Sequence, residues 1–326
     1  MLQSASVRYC LRGTPVNQKS EAPDQTIPVR PLLSICIVTL KSKNYLKNCL
    51  DSIHANCNHI PYEIIVVDNH SEDGTLEMLQ NEYPDIIVIA NPGNLGYARP
   101  MNQALRKAGG EYCVQLNPDT LVHPDAFQKM ITYMDANPDV GICTPKVLNR
   151  DGTLQKQCRR SEARPWDVIT YFTGLSRLFP NNKFFAGYLL TYLPEDQINA
   201  VEAVSGSCML IRRKVMEQIG YLDEDMFSYQ EDTDYCFRAR KAGWKVIYYP
   251  EASITHFGGY GGSRVRVYEA IYWWHKSYYL YYRKNLAGDY FFLFNTVIYL
   301  LMFLKFLLAV VVNYFRKDKV PSTPKP

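Results

Sequence analysis

Residues 62–75 read YEIIVVDNHSEDGT. The run Ile64, Ile65, Val66, Val67 is apolar without alternation, the pattern of a strand covered on both faces, and such strands belong to parallel sheets. It stops at Asp68 in a turn dense in Asn, Ser, Asp and Gly, after which residues 75–82 take helical spacing. The same unit recurs on either side. Upstream, LSICIVT at 33–39 is a strand, followed by a helix over 45–55 in which Leu46, Leu50 and Ile53 share a face. Downstream come a strand at 86–90 (IIVIA), a helix at 101–108, a strand at 112–116 (YCVQL) and a helix at 125–137. This alternation predicts an α/β fold with a mainly parallel sheet flanked by helices, right-handed crossovers, and ligands beyond the carboxyl ends of the strands.

Residues 1–31 are polar, rich in Pro, Ser and Gln, and read as a flexible leader. Residues 150–200 are irregular and aromatic, an insertion over the site. After it, 201–212 is strand-like, 214–219 and 233–242 are helical, and 245–249 is a strand. The expected division is the leader, one α/β domain over 32–262, and an aromatic, apolar helical region with a basic tail over 263–326.

Of the 326 residues, 47% are hydrophobic, 13% aromatic and 21% charged, which excludes collagen-like, mucin-like and disordered classes. The net charge is +4, all of it carried by the segment from Tyr290 onward. A neutral body argues against nucleic acid as a partner, because that requires a clustered basic face. Nine cysteines without a C-x-x-C pair or zinc spacing read as reduced thiols. No apolar signal segment is seen, so the body is expected in the cytoplasm.

Acids stand at the ends of the predicted elements. Asp68 leaves its strand where a ligand would sit; helix capping is the ordinary alternative, and Asp73 is the better cap. Asn117 and Asp119, in QLNPDT, can face one side of an extended turn and meet Mg²⁺ or Mn²⁺, although N-P-D is also an ordinary turn. Glu231, Asp232 and Asp234 open a helix, where the dipole favours acids, but three exceed that need. His256, beside glycines at a strand end, is a further candidate metal ligand. The loop after the first strand is LKSKNY (40–45), neither a dinucleotide fingerprint nor a P-loop. A metal and scattered acids then remain to hold a phosphate, which suggests a nucleoside diphosphate site.

In order over residues 32–262 stand SICIVT, YEIIVVDNHSEDGT, NPGNLGYARPMNQAL, YCVQLNPDTLV, VSGSCMLIRRKVMEQIGYLDEDMF and EDTDYCFRARKAGWKVIYYPEASITHFGG. Together they resemble the family 2 glycosyltransferases of the GT-A fold, especially the rhamnosyltransferase-like branch of bacterial surface polysaccharide synthesis. The resemblance implies a Rossmann-like GT-A sheet and inverting transfer of a sugar from a nucleoside diphosphate donor, dTDP-rhamnose or a UDP-sugar. The acceptor would be a hydroxyl of a lipid-linked or polysaccharide glycan. It further implies Thr39 and Asp68 beside the base and ribose, and Asn94, Gly96 and Asn102 shaping the donor pocket. Asn117 and Asp119 would stand at the metal motif with His256 as an added ligand, and Asp232 would be the general base with Glu231 in reserve. The chain departs from the family pattern at Leu40 and Lys41, where Tyr-Asn is common. It departs again at Asn117, which replaces the first Asp of the metal motif and leaves Asp119 as its only carboxylate.

Residues 290–315 form an apolar run long enough to cross a bilayer at about 20 residues per span. Lys305 near its middle would cost about 2.5–3.5 kcal/mol at the bilayer centre. A single span from a cytoplasmic body would also place Arg316, Lys317 and Lys319 outside, against the positive-inside tendency. An interfacial helix or re-entrant hairpin on the cytoplasmic face meets both objections, and anionic lipid suits the basic end; a helix packed on the body is the other reading. Two further functions stay open. A sugar nucleotidyltransferase would need a Gly- and Arg-rich triphosphate loop, which LKSKNY is not. Against a non-catalytic, membrane-bound carbohydrate-binding protein stand the intact Asp119 and Asp232.

Overall fold

The computed structural model describes residues 30–258 and 267–315. The leader through residue 29, the expected boundary at Gly262 and the basic residues from Arg316 lie outside the described residues. Strands β1 (Leu33–Thr39), β2 (Tyr62–Asp68), β3 (Ile87–Ala90) and β4 (Tyr112–Leu116) alternate with helices α1 (Lys43–Asn56), α2 (Thr75–Glu82) and α3 (Ala98–Lys107). There follow β5 (Thr120–Val122), α4 (Ala126–Ala136) and β6 (Val140–Leu148). The insertion holds β7 (Arg159–Arg160), α5 (Pro165–Phe172), α6 (Leu175–Leu178) and β8 (Asn199–Ala200). The remainder is β9 (Ala203–Val204), β10 (Cys208–Arg212), α7 (Arg213–Ile219), α8 (Glu231–Lys241), β11 (Lys245–His256), α9 (Val267–Asn285) and α10 (Phe292–Phe315).

One sheet dominates, in the order β3-β2-β1-β4-β10-β6-β11-β5, with β8 beside β11. β1, β2, β3 and β4 pair in parallel, as their unbroken aliphatic runs require. β10 is reversed against both β4 and β6, whereas β11 runs parallel to β6. All five residues of β10 are buried, so this strand is central in spite of its direction. Its amino end, Cys208, lies against the carboxyl end of β4 at Leu116. The turn before β10 therefore joins the loops that follow the parallel strands.

The structure adds strands β5 and β6, which the sequence reading leaves out, sets helices α5 and α6 in the stretch read as irregular, and moves several element bounds. The stretch 201–212 divides into β9 and β10 around a turn at 205–207. α8 begins at Glu231, not at residue 233, because acids favour the first turn; Tyr229 (φ 67°) and Gln230 (φ 63°) lead into it left-handed. β11 continues to His256 past a register shift between Tyr249 and Ser253, where Pro250 can donate no ladder hydrogen bond. The eight described cysteines are all buried and unpaired.

α9 docks on the body. Ser277 Oγ donates to Ser228 O (2.8 Å), Tyr281 OH to Glu162 O (2.7 Å) and Asn285 Nδ2 to Asp234 Oδ1 (2.8 Å). α10 packs along α9 with Ile298 as its buried residue and most other side chains exposed. Among the described residues, α10 alone is long and apolar enough to cross a membrane, by length and composition.

Candidate active site

The loops after β1, β2, β3 and β4, the turn before β10 and the end of β11 surround one cleft of about 580 Å³. Its other walls are residues 227–232 at the start of α8, Arg160 and Tyr188 from the insertion, and Trp273 and Trp274 from α9. Trp273 stacks on Phe227 with ring centres 4.3 Å apart. Lys41, His70, Glu72, Tyr229 and Gln230 line the cleft and have positive φ without being glycine. Such conformations cost about 1–3 kcal/mol each and collect at functional sites. Four buried side-chain atoms on the cleft wall also have no hydrogen-bond partner: Arg160 Nε, Ser207 Oγ, Gln230 Oε1 and Glu231 Oε2. Unpaired buried polar atoms are costly, so this wall is built for a polar ligand.

Asp119 and His256 meet because β5 pairs antiparallel with β11, which sets His256 opposite Thr120. Gln155 Nε2 reaches Asn149 Oδ1 (3.2 Å), so its Oε1 accepts from His256 Nδ1 (2.7 Å). The Nε2 of His256 then carries the lone pair, accepts from Asn117 Nδ2 (3.1 Å) and lies 3.2 Å from Asp119 Oδ1. A lone-pair nitrogen and a carboxylate oxygen at that separation suit a shared cation, and the amide behind the ring fixes its tautomer as outer ligands do. Among the described residues no third His, Cys, Asp or Glu completes a metal cluster, so other ligands would come from substrate or water.

Asp232 is firmly held. Its Oδ2 accepts from Arg160 Nη2 (2.7 Å) and Gly206 N (2.9 Å), and its Oδ1 from Thr233 N (2.6 Å) and Thr233 Oγ1 (3.1 Å). Gly206 also links to the metal-motif side, its carbonyl accepting from Gln115 Nε2 (3.2 Å) and lying 3.5 Å from Tyr97 OH, which donates to Asn117 Oδ1 at 3.3 Å. Burial, reinforced by Asp232 beside it, pushes the Glu231 carboxyl up to about 8 from an ordinary 4.5. The folded state then holds a proton that the unfolded chain releases. That contribution to stability is complete below pH 4.5 and is lost as pH rises toward 8. Glu231→Gln is therefore expected to raise the melting temperature by a few degrees more at about pH 9 than at about pH 5. An equal shift at both pH values in thermal denaturation would refute this.

The other sequence candidates are distributed as follows. Asn69 Nδ2 donates to Asn94 Oδ1 (2.8 Å) and Gly96 O (2.7 Å), which fixes the loop after β3 on the cleft wall. Gly96 has φ +86°, and a Cβ there would collide with the Phe227 carbonyl oxygen. Asp68 and Thr39 are buried below the wall; Asp68 Oδ2 accepts from Ser71 N (3.2 Å) and Oδ1 has no partner, while Thr39 Oγ1 pairs with Ser42 Oγ (2.8 Å). Asp73 accepts from Thr75 N (3.2 Å) ahead of α2. Asn102 is off the cleft wall, its Nδ2 donating to Leu222 O (2.9 Å) and its Oδ1 accepting from Leu222 N (3.0 Å). Arg160, Tyr97, Tyr188, Trp273 and Trp274 were not singled out from the sequence. The paired Arg159-Arg160 inside an aromatic insertion was the available signal.

Known proteins share this architecture and sequence. The chain is 26% identical over 244 residues to the N-acetylglucosaminyl-diphospho-decaprenol L-rhamnosyltransferase of Mycobacterium tuberculosis, covering 72% of this chain and 78% of that protein. It is 31% identical over 215 residues to the low-salt glycan biosynthesis hexosyltransferase Agl10 of Haloferax volcanii, covering 64% and 62%. Among solved structures, the mannosyltransferase PcManGT of Pyrobaculum calidifontis, in complex with GDP-Man and Mn²⁺, superposes with a TM-score of 0.54 at 20% identity. That match covers 79% of this chain and 66% of the other and shows the fold. Residues 34–220, more than half of the chain, match the family model for glycosyl transferase family 2. That match takes in the parallel strands β1 to β4 and the loops after them, and by it the chain belongs to glycosyl transferase family 2.

Proposed function

We propose that the chain transfers a sugar, with inversion, from dTDP-rhamnose or a UDP-sugar to a hydroxyl of a lipid-linked or polysaccharide acceptor in cell-surface glycan synthesis. One observation carries the reading: the Asp119–His256 pair and the Glu231–Asp232 pair line the same cleft. The similarity to an N-acetylglucosaminyl-diphospho-decaprenol L-rhamnosyltransferase supports transfer of rhamnose to a lipid-linked acceptor, and that to the hexosyltransferase Agl10 supports glycan synthesis.

In this reading Asp232 accepts the proton of the acceptor hydroxyl as its oxygen attacks the anomeric carbon. The new carbon–oxygen bond forms while the bond to the diphosphate breaks, and the electron pair leaves with the nucleoside diphosphate. A single displacement needs no enzyme nucleophile, so the configuration inverts. Arg160 and the Gly206 amide keep the Asp232 carboxylate oriented. Asp68 and Thr39, buried below the wall, brace the loops after β2 and β1 that would meet the base and ribose. Asn94, Gly96 and Asn117 shape the diphosphate side, and Asn102 braces it from behind through Leu222. Mg²⁺ or Mn²⁺, held by Asp119 and His256, would neutralise charge on the departing diphosphate.

Residues 32–262 form the GT-A domain in this reading, and the region from 263 adds α9 to the cleft and α10 to a membrane surface. In this reading the enzyme sits peripherally or monotopically on the cytoplasmic face of the membrane, and the exposed apolar length of α10 supports a membrane contact. The test incubates the protein and Mn²⁺ with dTDP-rhamnose, UDP-sugars and GDP-mannose, plus a short prenyl-diphosphate-linked N-acetylglucosamine. Release of nucleoside diphosphate with a product of inverted anomeric configuration is expected. Pyrophosphate release from a nucleoside triphosphate and a sugar phosphate would instead identify a nucleotidyltransferase, and consumption of no donor would identify a binding protein.

A further inference from the structure

α10 is tied to the body over residues 294–306. Phe294, Ile298 and Met302 join the cluster around α9, and Tyr299 and Phe306 meet rings of Tyr279 (5.4 Å) and His275 (5.4 Å) on that helix. At mid-helix, Lys305 Nζ lies 3.0 Å from His275 Nε2 and over the rings of Trp274 (3.9 Å) and Phe172 (4.1 Å). An upright α10 would carry α9, with Lys276, Arg283 and Lys284, into hydrocarbon beside it, at a cost per charge that makes the pose untenable. The geometry therefore lays α10 along the membrane surface, with α9 on its inner side.

Phe172 ends α5, so the insertion reaches the same edge of the molecule. Just beyond it, Leu178 is 72% exposed and Phe184 60% exposed, with Phe179 also exposed. Phe184 packs on exposed Trp166 at 4.9 Å between ring centres. Arg177 and Lys183 are interleaved with these apolar residues, and from Asp167 to Glu195 no acidic residue intervenes. Exposed aromatic and aliphatic side chains among basic ones, with acids absent, match an anionic lipid interface.

We propose that residues 172–185 form a second lipid-contacting element, so that the enzyme rests on an anionic bilayer through two supports, this segment and α10. The inference rests on the membrane reading above and extends it to a region outside the C-terminal helix. The occupant is the headgroup and upper acyl region of a bilayer.

The test uses the full chain and vesicles of phosphatidylethanolamine and phosphatidylglycerol. In flotation, Leu178→Asp combined with Phe184→Asp is expected to weaken partition at least about tenfold, with nucleotide-dependent thermal shift unchanged. Hydrogen–deuterium exchange on the unaltered chain is expected to show residues 175–185 protected by vesicles, and this decides the matter even if the variant fails to fold. A parent chain that ignores vesicles would overturn the membrane reading and this inference with it. A parent that floats while residues 175–185 exchange unchanged overturns the second support alone. Protection that grows with protein concentration in the absence of vesicles would assign the patch to a second copy of the chain and also overturn it.

Discussion

Asp232→Asn is expected to lower sugar transfer by about 10²-fold or more while donor affinity stays within about twofold. The amide keeps the shape of the carboxylate, but Thr233 N and Gly206 N meet different oxygens of Asp232, so the single amide oxygen retains one of these two bonds and the turn before α8 is weakened. What the amide cannot do is take a proton. It also leaves Arg160, paired with Asp232 across buried surface, without its counter-charge. Uncompensated buried charge destabilises, so a thermal melt must accompany the kinetics, and transfer should be measured well below the variant's melting temperature. If Asp232→Asn transfers at the parent rate and Glu231→Gln does not, the base is Glu231.

Asp119→Ala should weaken metal-dependent donor binding by about 10- to 100-fold or more. Among the described residues Asp119 is the carboxylate that faces His256 Nε2, and the ring is already fixed from behind by Gln155. Titration calorimetry with UDP or dTDP, with and without Mn²⁺, separates the metal-dependent part from contacts to the base. A folded Asp119→Ala variant whose affinity still rises with Mn²⁺ as in the parent would remove Asp119 from the metal. His256→Ala should have a smaller effect of the same kind, because it leaves the anionic ligand in place.

The N-terminal half of the fold was legible because its strands are uninterrupted aliphatic runs and its helices keep one apolar face, both local properties. The acids at strand ends were legible for the same reason. Their meeting was not: Asp119 and His256 come together through the β5–β11 pairing, and Glu231 and Asp232 reach the cleft through the turn before β10. Arg160, Tyr188, Trp273 and Trp274 arrive by tertiary docking, for which Tyr281 OH on the Glu162 carbonyl is one of the pins. No periodicity records such a contact. Asn102 shows the converse, a motif residue whose amide is occupied at both ends by the backbone of Leu222.

The reversed β10 also dictates the order of assembly on the ribosome. It fills the gap between β4 and β6, yet its residues, 208–212, are made long after both neighbours. Until they emerge, β3, β2, β1 and β4 can pair, but β4 keeps an open edge of buried type and β5 and β6 have no strand to join; such edges recruit other chains. A polypeptide stalled in the insertion would be a substrate for chaperones or a seed for aggregation. β10 closes the β4 edge and gives β6 its first partner; β11, made later, supplies the second and carries His256 to Asp119, so the strand that completes the sheet also completes the cleft.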